Sequence, residues 1–81
     1  MSESPVVQAS IKRVEELMDQ KQITLYELAY QSAVSYSTLK VALNRRQTIS
    51  LQTIKKICDG GFGIKISEFF DSPLFDELEI K

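Results

Sequence analysis

Histidine is absent from the 81 residues and cysteine occurs once, at Cys58. A single cysteine cannot close an intrachain disulfide, and with no histidine or second cysteine an ordinary zinc site cannot be assembled. Cys58 falls in a helical apolar pattern, where it reads as a small buried filler rather than a reactive thiol. With no histidine, that cysteine in the core and no carboxylate pair in a plausible cleft, neither an enzyme nor a metal or cofactor site is expected. The start of the chain lacks an apolar stretch of about 7 to 15 residues behind a basic segment, and nowhere does an apolar run approach about 18 residues. Cytoplasmic residence away from membranes is the expectation. The two prolines, Pro5 and Pro73, lie near the ends, and strand signals and internal repeats are missing, so the middle is free to be helical throughout.

What the chain does have is an apolar fraction of 43%, enough for a packed globule. Its length predicts one core and one domain over residues 1–81. A chain this short buries only about 60% of its unfolded surface, which leaves a margin near 5 kcal/mol and makes the added contacts of a homodimer useful.

The net charge of −1 and isoelectric point near 5.3 conceal an uneven distribution. Residues 1–34 carry Lys12, Arg13 and Lys21 against Glu3, Glu15, Glu16, Asp19 and Glu27, a balance of −2. Residues 35–65 carry Lys40, Arg45, Arg46, Lys55, Lys56 and Lys65 against Asp59 alone, a balance of +5, and residues 66–81 return −4. The middle of the chain therefore has the electrostatics of a nucleic-acid binder although the whole does not. A solvated face is the plainer account of the same charges.

Ser4 and Pro5 open a first helix, since serine caps free N–H groups and proline at the first helical position loses none that mattered. Val7, Ile11, Val14, Leu17 and Met18 then form one apolar stripe to about Gln20. Thr24 and Glu27 make a capping box for a second helix with Leu25, Leu28 and Ala29 inward. That helix breaks near Ser32 to Val34, and Ser35 caps a third running to about Asn44. Two helices about four residues apart have the spacing of a helix-turn-helix. Ser50 caps a fourth, with Leu51, Ile54, Ile57 and Cys58 as its buried stripe and Gly60, Gly61 and Gly63 as its end. Ile66 to Phe70 form a fifth that brings Phe69 and Phe70 to the core. Beyond Pro73, acidic residues alternate with Leu74, Phe75, Leu78 and Ile80, a pattern that fits either a short amphipathic helix or a frayed end.

The segment Ile23-Thr24 with Glu27-Leu28-Ala29, followed by Val34-Ser35 and Ser37-Thr38-Leu39, resembles the helix-turn-helix of the lambda repressor and Cro proteins, the Xre family. Ser50-Leu51, Thr53-Ile54, Ile57-Cys58 and Ile64 to Phe70 resemble that family's fourth and fifth helices, so the resemblance covers roughly residues 7–71. It implies an all-α, compact five-helix fold with the helix-turn-helix at helices two and three, a core over about 5–71 and an acidic tail over 72–81. It also implies sequence-specific binding of double-stranded DNA by a repressor-like transcriptional regulator, as a homodimer on half-sites about one helical turn apart. This chain departs from the family at four places. Ala33 stands where glycine is common in the turn, and Leu25 replaces a polar residue that reaches phosphate. Leu43 and Arg45 replace a glutamate and a glycine, and the doubled Gly60-Gly61 inserts one residue before the fifth helix.

At about 100° per residue, Leu39, Ala42 and Leu43 cluster on the core side of helix three. Tyr36, Ser37, Lys40, Val41 and Asn44 spread over the other side, in an arc of about 140° that suits a major groove. Lys40 can donate to guanine O6 or N7, Asn44 can pair with adenine, and Val41 offers an apolar surface to a thymine methyl. The resemblance puts the early positions of this helix nearest the bases and lays the loop of Arg45, Arg46 and Gln47 along the phosphate backbone. Thr24, Ser35 and Ser50 complete the expected phosphate contacts, Ser50 at a helix start whose free N–H groups suit an anion. A second reading keeps the fold but gives it a protein partner, in the manner of an antitoxin, through the acidic tail 72–81.

Overall fold

The structure, a computed structural model, describes residues 5–76. Among these the chain is helical with no strand: α1 Pro5–Lys21, α2 Leu25–Ser32, α3 Tyr36–Arg45, α4 Leu51–Lys56 running on into a π-helical turn Ile57–Phe62, α5 Ile66–Phe69 and α6 Pro73–Asp76. Among the described residues these are the five helices of the expected fold and, from Pro73, the short helix that the tail pattern leaves open. The expected cap Ser4 lies outside the described residues. The capping box is present, with the Glu27 N–H donating to Thr24 Oγ1 at 3.1 Å and the Thr24 N–H donating to the Glu27 carboxylate at 2.9 Å.

Each of the first three helices ends on a non-glycine residue in the left-handed region, Gln22 (φ 54°), Ala33 (φ 58°) and Arg46 (φ 54°). In each case the next N–H reaches back five residues: Ile23 to the Met18 carbonyl, Val34 to Ala29 and Gln47 to Ala42, at 2.9 to 3.0 Å. That bond satisfies a carbonyl the helix end would otherwise leave open, at a backbone cost of about 1 kcal/mol per left-handed residue.

The fourth helix departs from the expected pattern at both ends. Leu51, expected in its buried stripe, is 66% exposed, while Ile54, Ile57 and Cys58 are buried. Side chains tilt toward a helix's N-terminus, so a first-turn residue such as Leu51 leans back past the start of the helix and misses the core. Gly60 and Gly61, expected to terminate the helix, lie within it, and only Gly63 (φ 68°) ends it, with the Ile64 N–H donating to the Cys58 carbonyl at 3.0 Å. A π turn holds one residue more than an α turn, so the doubled glycine is taken up within the helix. A Cβ on Gly60 would lie 2.5 Å from the Gln31 carbonyl oxygen, and one on Gly61 would lie 2.3 Å from Leu28 Cδ1 and 2.7 Å from Ser32 Oγ. Both glycines serve contact with α2 rather than a turn.

The core joins Leu28 of α2, Leu39 of α3, Ile54 and Ile57 of the fourth helix, Val14 and Leu17 of α1, and Phe69 of α5. Cys58 is fully buried in it, and burial, with Asp59 adding to the effect, pushes its thiol pKa up, so it stays protonated and inert. Arg13, counted among the charges of residues 1–34, is only 9% exposed. Its Nε donates to the Phe69 carbonyl at 2.6 Å and its Nη2 to the Glu68 carbonyl at 2.7 Å, while Nη1 pairs with Glu16 at 2.7 Å. The start of the tail forms a helical turn, Pro73–Asp76, with the Leu74 N–H donating to the buried Ser72 hydroxyl at 3.2 Å. Phe75 packs its ring 5.0 Å from that of Phe70. Leu78 and Ile80 lie outside the described residues.

Urea denaturation of three variants tests these backbone assignments. Gly60→Ala should cost at least about 1 to 3 kcal/mol, because rigid backbone stands in the way. Gly63→Ala, whose added Cβ meets nothing within 4 Å, should cost only about 1 kcal/mol for its left-handed φ. Ala33→Gly should raise stability by about 0.5 to 1 kcal/mol by relieving the same strain. Equal losses for the two Gly→Ala changes would mean that Gly60 does not press closely on α2.

Candidate nucleic-acid interface

The third helix is held from one side and open on the other. Leu39 and Ala42 are buried and Leu43 is half-buried against the core. Tyr36, Ser37, Lys40, Val41 and Asn44, the five residues expected to face bases, are all exposed on the opposite side. The Lys40 ammonium lies 5.7 Å from the centroid of the Tyr36 ring, one turn back along the helix, within cation–π range. The Ser35 hydroxyl accepts the Thr38 N–H at 3.4 Å and sits 2.9 Å from the Ser37 hydroxyl, so these two serines form a polar pair at the start of the helix.

Between α3 and the start of α4 opens a cleft of about 520 Å³. Ser37 and Val41 line it from α3, and Gln47, Thr48, Ser50 and Thr53 line it from the loop and α4. Ser50 Oγ accepts the Thr53 N–H at 3.1 Å and lies 3.0 Å from the Thr53 hydroxyl. Residues that sequence reasoning assigned separately to bases (Ser37, Val41) and to phosphates (Gln47, Ser50) thus share one concavity of mixed polar and apolar lining. Thr48 and Thr53 were missed; the signal for Thr53 was its place three residues after the cap, where its N–H meets the serine.

The remaining expected phosphate contacts are placed differently. Arg45 is exposed in the last turn of α3 and forms no ion pair among the described residues. Its neighbour Arg46 is half-buried at the left-handed end of the helix and pairs with Glu15 of α1 at 3.1 Å. Thr24 is exposed, but its N–H and hydroxyl both face the Glu27 carboxylate, at 2.9 and 3.2 Å, which sets a negative charge where a phosphate would approach. Lys55 pairs with Asp59 at 2.7 Å. Of the six cations in residues 35–65, Lys40, Arg45, Lys56 and Lys65 therefore stand outside any ion pair among the described residues, two of them on α3.

The family described as Cro/C1-type HTH DNA-binding domain matches residues 13–72, from within α1 to the residue before α6. It is a family of DNA-binding domains and not of enzymes. No curated protein and no solved structure matches the chain. No helix of the described residues is long and apolar enough to cross a membrane.

The hold on α3 is testable apart from any ligand. Leu39→Ala removes a fully buried side chain and should destabilise the fold by about 2 to 5 kcal/mol. Against a margin near 5 kcal/mol, partial unfolding at 37 °C is the expected result in a thermal melt followed by circular dichroism. A melting temperature unchanged to within about a degree would mean that α3 is not fastened through this residue.

Proposed function

The chain belongs to the Cro/C1-type helix-turn-helix DNA-binding domains, and on that footing we propose that it binds double-stranded DNA sequence-specifically as a repressor-like transcriptional regulator. The observation that carries this reading is the outward face of α3, where Tyr36, Ser37, Lys40, Val41 and Asn44 stand exposed opposite the Leu39 anchor. A helix held along one side can enter the major groove with the other without disturbing the core. Lys40 supplies donors for guanine O6 or N7, Asn44 pairs with adenine N6 and N7, and Val41 meets a thymine methyl. Ser37 and Tyr36, at the start of the helix, donate hydroxyls to bases or to the nearest phosphates.

Arg45, Gln47, Ser50 and Ser35 set the register on the sugar-phosphate backbone, while Thr24, whose donors already face the Glu27 carboxylate, adds no phosphate contact. Arg46 joins them by exchanging Glu15 for a phosphate oxygen. Two copies on a two-fold symmetric site in the cytoplasm complete the proposal, since one domain this small reads few base pairs.

Selection of bound duplexes from a random pool tests the reading, with a two-fold symmetric consensus as the expected result. On the selected site Lys40→Ala and Asn44→Ala should each cost about 1 to 3 kcal/mol while barely changing affinity for random duplex. Equal losses on both would show that these residues touch only phosphates.

The slope of log affinity against log salt tests the backbone contacts. Arg45→Ala combined with Arg46→Ala should make it shallower by about 3.6 for a dimer and about 1.8 for a monomer, with base preference kept. Should Arg46 stay on Glu15 in the complex, the change falls to about 1.8 for a dimer and about 0.9 for a monomer, and Arg45→Ala alone produces all of it; an unchanged slope would place both arginines off the DNA.

A further inference from the structure

An exposed tyrosine stands at the start of each of the two helices α2 and α3. Tyr26, in the first turn of α2, is 67% exposed, and its ring centroid lies 6.0 Å from that of Tyr36 with the planes 59° apart. At that separation and tilt the positive edge of one ring attracts the negative face of the other. Tyr36 in turn has the Lys40 ammonium 5.7 Å from its centroid. The three side chains form a chain across the solvent side of the helix-turn-helix, with the cation at its end. None of the three belongs to the core.

The geometry points to Tyr26 as a positioning residue for base reading: from α2 it braces Tyr36, and Tyr36 holds the Lys40 ammonium over α3. A lysine carries a point charge on a flexible four-carbon stem, and most of its rotamers would miss any one acceptor pair. Bracing it before contact lowers the ordering cost of binding, and the chemistry served is the O6 and N7 acceptor edge of one guanine. The inference rests on the DNA reading above and adds to it a residue outside the recognition helix, acting through two others without touching a base itself.

The test uses the full chain and the duplex selected from a random pool. Tyr26→Ala should weaken binding to that duplex roughly two- to tenfold, the size of one aromatic pair's coupling, and Tyr26→Phe should stay within about twofold. Tyr30→Ala serves as a control, since Tyr30 is 80% exposed one turn along α2 and in no aromatic pair among the described residues. It should change nothing. In a Lys40→Ala background Tyr26→Ala should have no further effect, and alone it should relax the same base position that Lys40→Ala relaxes.

In the free protein, the Lys40 methylene protons beside the ammonium should resonate upfield under the Tyr36 ring current. They should move back fully in Tyr36→Ala and partly in Tyr26→Ala, with thermal melts unchanged because all three side chains are exposed. Equal losses from Tyr26→Ala with and without Lys40, a Tyr26→Phe as damaging as Tyr26→Ala, or unshifted Lys40 protons would each overturn the bracing role. Failure to select any duplex would overturn the DNA reading and this inference with it, so the two failures are told apart.

Discussion

The π turn Ile57–Phe62 meets α2 backbone to backbone, because Gly60 and Gly61 put no side chain into a gap where a Cβ would come within 2.5 Å of the Gln31 carbonyl oxygen or 2.3 Å of the Leu28 side chain. Close approach of this kind brings Leu28, Ile57, Cys58 and Phe62 into one dry cluster, where a buried side chain gains many weak dispersion contacts at once. The second helix is only eight residues long, too short to persist alone in water. Its orientation is therefore set by what it lies against, and α3 follows it through a turn of three residues closed by the Val34 N–H to the Ala29 carbonyl. The direction in which the outer face of α3 looks is a consequence of two glycines some twenty residues further along the chain.

A second tie fastens the ends of the molecule. The carbonyls of Glu68 and Phe69 lie at the C-terminal end of α5, a helix of four residues; Glu68 already accepts the Asp71 N–H at 3.2 Å, and both carbonyls accept from Arg13. The guanidinium of Arg13 supplies two donors in the plane they require, and its charge is balanced by Glu16 on its own helix. This joins α1 to α5 across more than fifty residues of sequence and seats Phe69 in the core, with Phe70 packed edge-on and Phe75 tilted against it.

Charge is used with similar economy. Arg46 and Lys55 are held by Glu15 and Asp59, while Lys40 and Arg45 on α3 stand outside any such pair among the described residues. Exposed ion pairs of this sort contribute little to stability, so their effect falls mainly on the local field. The field they leave is positive along the third helix, which lets an acidic chain approach a polyanion by one surface.

The helices themselves were legible in the chain. Thr24 with Glu27, Ser35 and Ser50 are local capping signals that act over three residues, and the stripes from Ile11 to Leu17 and from Leu39 to Leu43 are local periodicities, so helix positions and the buried side of α3 follow from neighbours in sequence. The exposed face of α3 was legible for the same reason, being what remains once the anchor is known. Tertiary structure alone decided the rest. Whether Gly60 and Gly61 end a helix or let it press on another depends on Gln31 and Leu28, and whether Arg13 is solvated or buried depends on carbonyls more than fifty residues away. Arg45 and Arg46 are identical neighbours in sequence, yet one is exposed and the other turned to Glu15, because a left-handed φ of 54° at Arg46 redirects its side chain toward α1. Sequence specifies what short-range hydrogen bonding and periodicity can reach; long-range contacts choose among the conformations that those local rules permit.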